Sequence, residues 1–133
     1  MRISIASAFL SAVADRLGAG GPPGATNVAW GAWAPFVDYT GTLLFFLPRR
    51  LVVIFAVVAT VVEILLGVWL LVGWRIRLAA HAGAALLLTF ALAMVVALGV
   101  KAPLNYSVFT AAAAAFALGV LHSSAEPKPA GVP

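Results

Sequence analysis

Apolar residues run almost unbroken through three stretches of this chain. Residues 51–73 hold one ionisable side chain, Glu63, and residues 78–100 hold only His81, near their start. Residues 104–121 hold no charged side chain and are rich in alanine. A bilayer core takes about 20 apolar residues per helix, so each stretch predicts a transmembrane helix. A fourth apolar run, residues 2–17, begins after Met1 with Arg2 and ends in Asp15-Arg16-Leu17. Ala12-Val13-Ala14 resembles a signal cleavage site, which gives that run an alternative reading. Its continuation through Asp15-Arg16 to Leu17 favours a first helix ending at the polar edge of the bilayer. The pattern therefore predicts an all-α membrane protein, a four-helix transmembrane up-down bundle.

The segments between the runs support that layout. Residues 18–50 form the long connection. It opens with Gly20-Gly21-Pro22-Pro23-Gly24, which cannot be helix interior, and continues through Trp30, Trp33, Phe36 and Tyr39. Trp and Tyr favour the headgroup level, so an interfacial aromatic loop is expected there, either a plain aromatic belt or a site-forming loop. The links at residues 74–77 and 101–103 are tight and force antiparallel neighbours. Residues 122–133, with Glu126-Pro127-Lys128-Pro129, are expected to be a disordered tail.

Composition sharpens the membrane reading. Hydrophobic residues make up 64% of the chain and charged ones only 9%, against about 25% in a soluble domain. The net charge of +4 comes from cations scattered at the ends of apolar runs, as membrane anchors are; no basic patch interleaved with aromatics points to nucleic acid. The chain has no cysteine and two histidines, which excludes thiol chemistry and leaves no metal-ligand set. Four spans place Arg2, Arg75, Arg77 and Lys128 on one side and Arg16, Arg49, Arg50 and Lys101 on the other, so cation counting ties. The two arginines crowded into one short link, and Asp15 and Asp38 on the long-loop side, favour cytoplasmic termini.

Glu63 is the residue with most to say. An acid in mid-bilayer costs about 2.5–3.5 kcal/mol and normally faces the bundle interior with a partner. Ala56, Thr60, Glu63 and Gly67 recur at spacings of three and four, a small and polar stripe that suits a helix interface in lipid. Helix side chains lean toward their own N-terminus, so Glu63 and Arg16 of the antiparallel first helix converge, with about 6 Å of depth between them. An Arg16–Glu63 pair is expected, with Asp15 or Asp38 competing for the arginine. The alternatives for Glu63 are structural pairing or helix glue, and a ligand or proton role. His81 lies about 10 Å from Glu63 in depth, too far for a direct relay, and reads more readily as an interfacial histidine. Asn105, a helix-cap candidate, and Tyr106 share the membrane side of Arg16, Asp38 and Tyr39. Together they suggest a shallow polar pocket that would suit a quinone-like or lipid headgroup. No complete catalytic set, phosphate loop or cofactor motif stands in the sequence, so no activity of its own is expected.

One family pattern matches in order and spacing. Asp15-Arg16-x-Gly18, Gly21-Pro22-Pro23-Gly24, Trp30-Gly31, Phe36, Tyr39 and Leu47-Pro48 are followed by Glu63-x-x-x-Gly67-x-x-Leu70-Leu71-x-Gly73-x-Arg75-x-Arg77. Gly99-x-Lys101-Ala102-Pro103-Leu104-x-Tyr106-Ser107 closes the series. Over nearly all of residues 3–121 the chain resembles the DoxX family of bacterial membrane proteins. The resemblance implies a four-helix bundle over residues 1–121 in the bacterial plasma (inner) membrane, with Glu63 as the second-helix acid and Arg16 as the base closing the first helix. Relatives often carry an acid where this chain has Asn105. It further implies a non-catalytic subunit of a membrane redox system, as in a thiosulfate:quinone oxidoreductase, with a membrane or peripheral redox partner and a quinone as the associated cofactor. The competing readings are a small transporter or lipid-handling protein using Glu63, which would need a homo-oligomer for space, and a membrane scaffold.

Overall fold

Pro48, with φ at −66°, leads into the longest helix, and Gly73 closes it in the left-handed conformation at φ 80°, the backbone that glycine adopts without steric penalty. In the computed structural model, which describes residues 1–124 and 131, six helices follow in order. They are α1 (Arg2–Arg16), α2 (Trp33–Leu43), α3 (Arg49–Val72), α4 (Ile76–Leu98), α5 (Lys101–Asn105) and α6 (Val108–Ser124). Among the described residues there is no strand.

Three features depart from the expected layout. The long connection is not all loop, because Trp33–Leu43 forms α2. The last apolar run is broken in two by Ser107 at φ 55°, so α5 and α6 are separate helices and Asn105 ends α5 rather than capping α6. Helix α6 also continues through Ser124, past the residue at which the tail was expected to begin. Residues 125–130, 132 and 133, which carry most of that tail, lie outside the described residues.

Packing pairs α1 with α3 and α4 with α6 most extensively, and α3 also meets α4. One core gathers residues from all four of these helices: Ala6 and Phe9 of α1, Leu66 and Leu70 of α3, Ala79 and Ala80 of α4, and Leu118 of α6. Small residues let the backbones approach, as helix packing in lipid requires. Gly83 of α4 sits against the Phe9 ring, and Gly119 of α6 against His81 of α4. A second cluster docks α2 onto the start of α3 through Phe36, Val37, Val52 and Ala56.

Helices α3 and α4 are long and apolar enough to cross a membrane. Only 33% of the most apolar stretch of α3 and 22% of that of α4 are buried, unlike the largely covered core helix of a soluble protein. Val57, Val58, Val61, Leu65 and Val68 form a continuous exposed apolar face on α3. The face opposite holds Val52, Ala56, Thr60, Glu63, Gly67 and Leu70, all buried.

Candidate functional site

The C-terminal end of α1 brings Arg16 against the middle of α3. Its guanidinium meets the Glu63 carboxylate as a fork: Nη2 donates to Oε1 at 3.0 Å and Nη1 lies 2.6 Å from Oε2. Arg16 Nη1 also donates to Thr60 Oγ1 at 3.0 Å. The Thr60 hydroxyl in turn donates to the Ala56 carbonyl one turn back, at 2.9 Å. Both ionic side chains are buried, Arg16 at 3% and Glu63 at 3% exposure. Planar, bidentate geometry is what makes arginine the suitable partner for a buried carboxylate.

The flat face of the guanidinium is covered by aromatics. Its carbon lies 3.9 Å from the Phe36 ring centroid and 5.2 Å from that of Trp30, cation–π contacts that are strongest when desolvated. Trp30 and Phe36 pack edge to face at 5.2 Å. Asp15 holds this lid in place by accepting the Trp30 backbone N–H on Oδ2 at 2.8 Å. Gly31, at φ 66°, turns so closely over the proline pair that a Cβ there would come within 2.5 Å of the Pro23 nitrogen. The Gly-Pro-Pro-Gly and Trp-Gly elements thus form one folded cover over one arginine.

Among the described residues none of the remaining candidates bonds Arg16 or Glu63, although the Tyr39 ring lies 6.2 Å from that of Trp30 in the cover. Asp15 bonds the lid backbone and does not compete for Arg16. Asp38 is engaged elsewhere too, 2.8 Å from Arg49 in an ion pair whose side chains are both more than 60% exposed. The short step from α2 to the start of α3 makes Arg49 the nearer cation. Tyr39 is half-buried, and burial holds its hydroxyl above the usual phenol range, with Tyr106 acting in the same direction. Asn105 and Tyr106 are exposed. His81 stacks edge-on against Phe116 at 5.5 Å, on the α6 side of α4.

Two clefts stand out. One, about 430 Å³, runs along α1 past Ser11, Asp15, Gly20, Asn27 and Trp30; the other, about 360 Å³, is lined by Arg75, Arg77, Leu78 and His81. Neither is lined by Arg16, Glu63, Tyr39, Asn105 or Tyr106. The role of Thr60 as a third partner, and of Trp30 and Phe36 as a cover, went beyond the sequence reading. The signal for them was present in the polar stripe of α3 and in the aromatics on the same side as Arg16. No family model, curated protein or solved structure matches this chain.

Proposed function

We propose that this chain is a multi-pass protein of the bacterial plasma membrane, with α1, α3, α4 and α6 crossing as an up-down bundle and both termini cytoplasmic. The exposed apolar faces of α3 and α4 support this. Helices α1 and α6 span about 22 and 25 Å at 1.5 Å per residue, short of the roughly 30 Å hydrocarbon core. The deficit at the end of α1 is made up by α2 and the folded cover. Irregular backbone is tolerated at membrane depth where protein covers it.

Within that frame the chain serves as a non-catalytic subunit of a membrane redox system, the role that the DoxX resemblance implies, beside a partner that carries the redox chemistry. The observation that carries the non-catalytic reading is the closure of the Arg16–Glu63 fork. The intramembrane acid is spent on holding α1 to α3, and neither cleft opens on it. Purification in mild detergent followed by native mass spectrometry tests the reading. The expected result is co-purification of an oxidoreductase partner or a quinone. A monodisperse protein carrying neither overturns it, and proteoliposome transport abolished by Glu63→Gln would assign the acid to transport instead.

A further inference from the structure

We propose that the cleft at the α3–α4 link holds the phosphate headgroup of an anionic phospholipid, gripped by Arg75 and Arg77. The proposal rests on the reading of the chain as membrane-spanning, and it assigns a ligand to the end opposite the Arg16 centre.

The cleft is built on a fixed turn. Gly73 at φ 80° and Arg75 at φ 45° are both left-handed, and for an arginine that conformation is sterically unfavourable. Such strain persists only where its surroundings determine it. Here the Trp69 indole Nε1 donates to the Trp74 carbonyl at 2.6 Å, and the Arg75 guanidinium lies 5.2 Å from the Trp74 ring. Arg77, Leu78 and His81 line the rest of the cleft. His81 forms its inner wall, about 6 Å deeper than Arg77 by helix rise. Its ring is seated on Gly119, where a Cβ would come within 2.7 Å of it. The volume of about 360 Å³ has room for about a dozen waters, enough for a phosphate and its glycerol.

The surroundings select a lipid rather than a free anion. Val72, Trp74 and Leu78, at 71%, 64% and 49% exposure, flank the cationic wall with apolar surface where acyl chains would lie. A tryptophan at that level is the usual mark of the headgroup layer. Arg2 adds a cation, its guanidinium lying against Gly73. In the proposed topology the Arg75 end is the cytoplasmic one, where anionic lipid gathers and basic pockets between helices take phosphate headgroups.

The test uses the full chain in mild detergent, titrated with phosphatidylglycerol or phosphatidylcholine of identical acyl chains, with retained lipid counted by native mass spectrometry. Phosphatidylglycerol is expected to be retained preferentially. Arg75→Gln/Arg77→Gln should lower that preference about 10- to 30-fold, as removal of two interfacial cations does. Arg50→Gln, at the opposite end, should leave it unchanged. Should the double variant fail to fold by circular dichroism, Arg75→Gln, which should lose preference, and Arg75→Lys, which should keep it, decide the matter. Equal retention of the two lipids by the wild type overturns the proposal, and so does an unchanged preference in Arg75→Gln/Arg77→Gln or in Arg75→Gln. Displacement of the lipid by an equal concentration of inorganic phosphate would assign the site to a free anion and overturn the lipid assignment. Release of the protein from membranes by alkaline carbonate would remove the membrane reading itself. Retention through that wash without lipid preference sinks this inference alone.

Discussion

Replacing Arg16 by methionine keeps much of the volume and apolar stem of the side chain but removes a guanidinium that meets three polar atoms and two rings. The Glu63 carboxylate would be left at 3% exposure with neither of its contacts to Arg16. Removing one partner of a buried pair costs about 3–5 kcal/mol, because the survivor stays desolvated without compensation. Protonation of the stranded acid relieves part of this, which sets the expectation near the lower end of that range. The intact pair is itself imperfect: Arg16 Nε is buried with no hydrogen-bond partner, and Glu63 Oε2 has the close ionic contact but no hydrogen bond, a deficit of about 1–3 kcal/mol per group. Replacing both charges by apolar residues therefore removes that deficit along with the attraction. Arg16→Met/Glu63→Leu should lie within about 1 kcal/mol of wild type, since buried pairs replaced together are often neutral or stabilising.

Denaturant titration of the purified protein in detergent, followed by tryptophan fluorescence and circular dichroism, measures all members of this double-mutant cycle. The expected outcome is a coupling of more than about 2 kcal/mol between the two sites, within the range for residues in contact. Additive losses, or an Arg16→Met variant as stable as wild type, would refute the claim that the fork clasps α1 to α3.

Three further outcomes follow from the geometry. Gly31→Ala should destabilise by about 1–3 kcal/mol in the same titration, because it places an L-residue at positive φ and a methyl against the Pro23 nitrogen; no change would mean that the cover is not folded as described. Asp38→Asn should shift stability by less than about 0.5 kcal/mol, since the Asp38–Arg49 pair is solvent-exposed and such pairs contribute little. In Tyr106→Phe, Tyr39 is the one tyrosine left, and its phenolate absorbance should appear above the usual phenol range, the shift arising mainly from burial. Because its folded-state pKa is the higher one, Tyr39 stabilises the fold fully below the unfolded value and that contribution is lost as pH rises through the folded one. A midpoint at or below the ordinary value would contradict its burial.

The α3 face was legible because one period governs it: Ala56, Thr60, Glu63 and Gly67 place small and polar residues at helical spacing in an otherwise apolar segment. Arg16 followed from the antiparallel direction and the lean of helical side chains, which act locally and need no knowledge of the loop. What lay beyond the pattern depended on long-range contacts. Trp33–Leu43 contains Pro35, Gly41 and two threonines, weak helix formers, and its helix is held by docking Phe36 and Val37 on Val52 and Ala56. The break at Ser107 carries no proline or glycine, so nothing in its neighbourhood announces a positive φ. Asp38 was matched to Arg16 by membrane side alone, whereas chain proximity delivered it to Arg49.

The most direct test of the central claim, a bundle that turns Glu63 inward and the valine face of α3 toward lipid, exploits the absence of cysteine from the chain. Spin labels placed singly at Val57→Cys, Val61→Cys and Val68→Cys in proteoliposomes report collisions with apolar oxygen and with a water-soluble nickel complex. The account predicts high oxygen and low nickel accessibility at all three positions, and low accessibility to both at Ala56→Cys. Free access of the nickel complex to the Val61 label would contradict it.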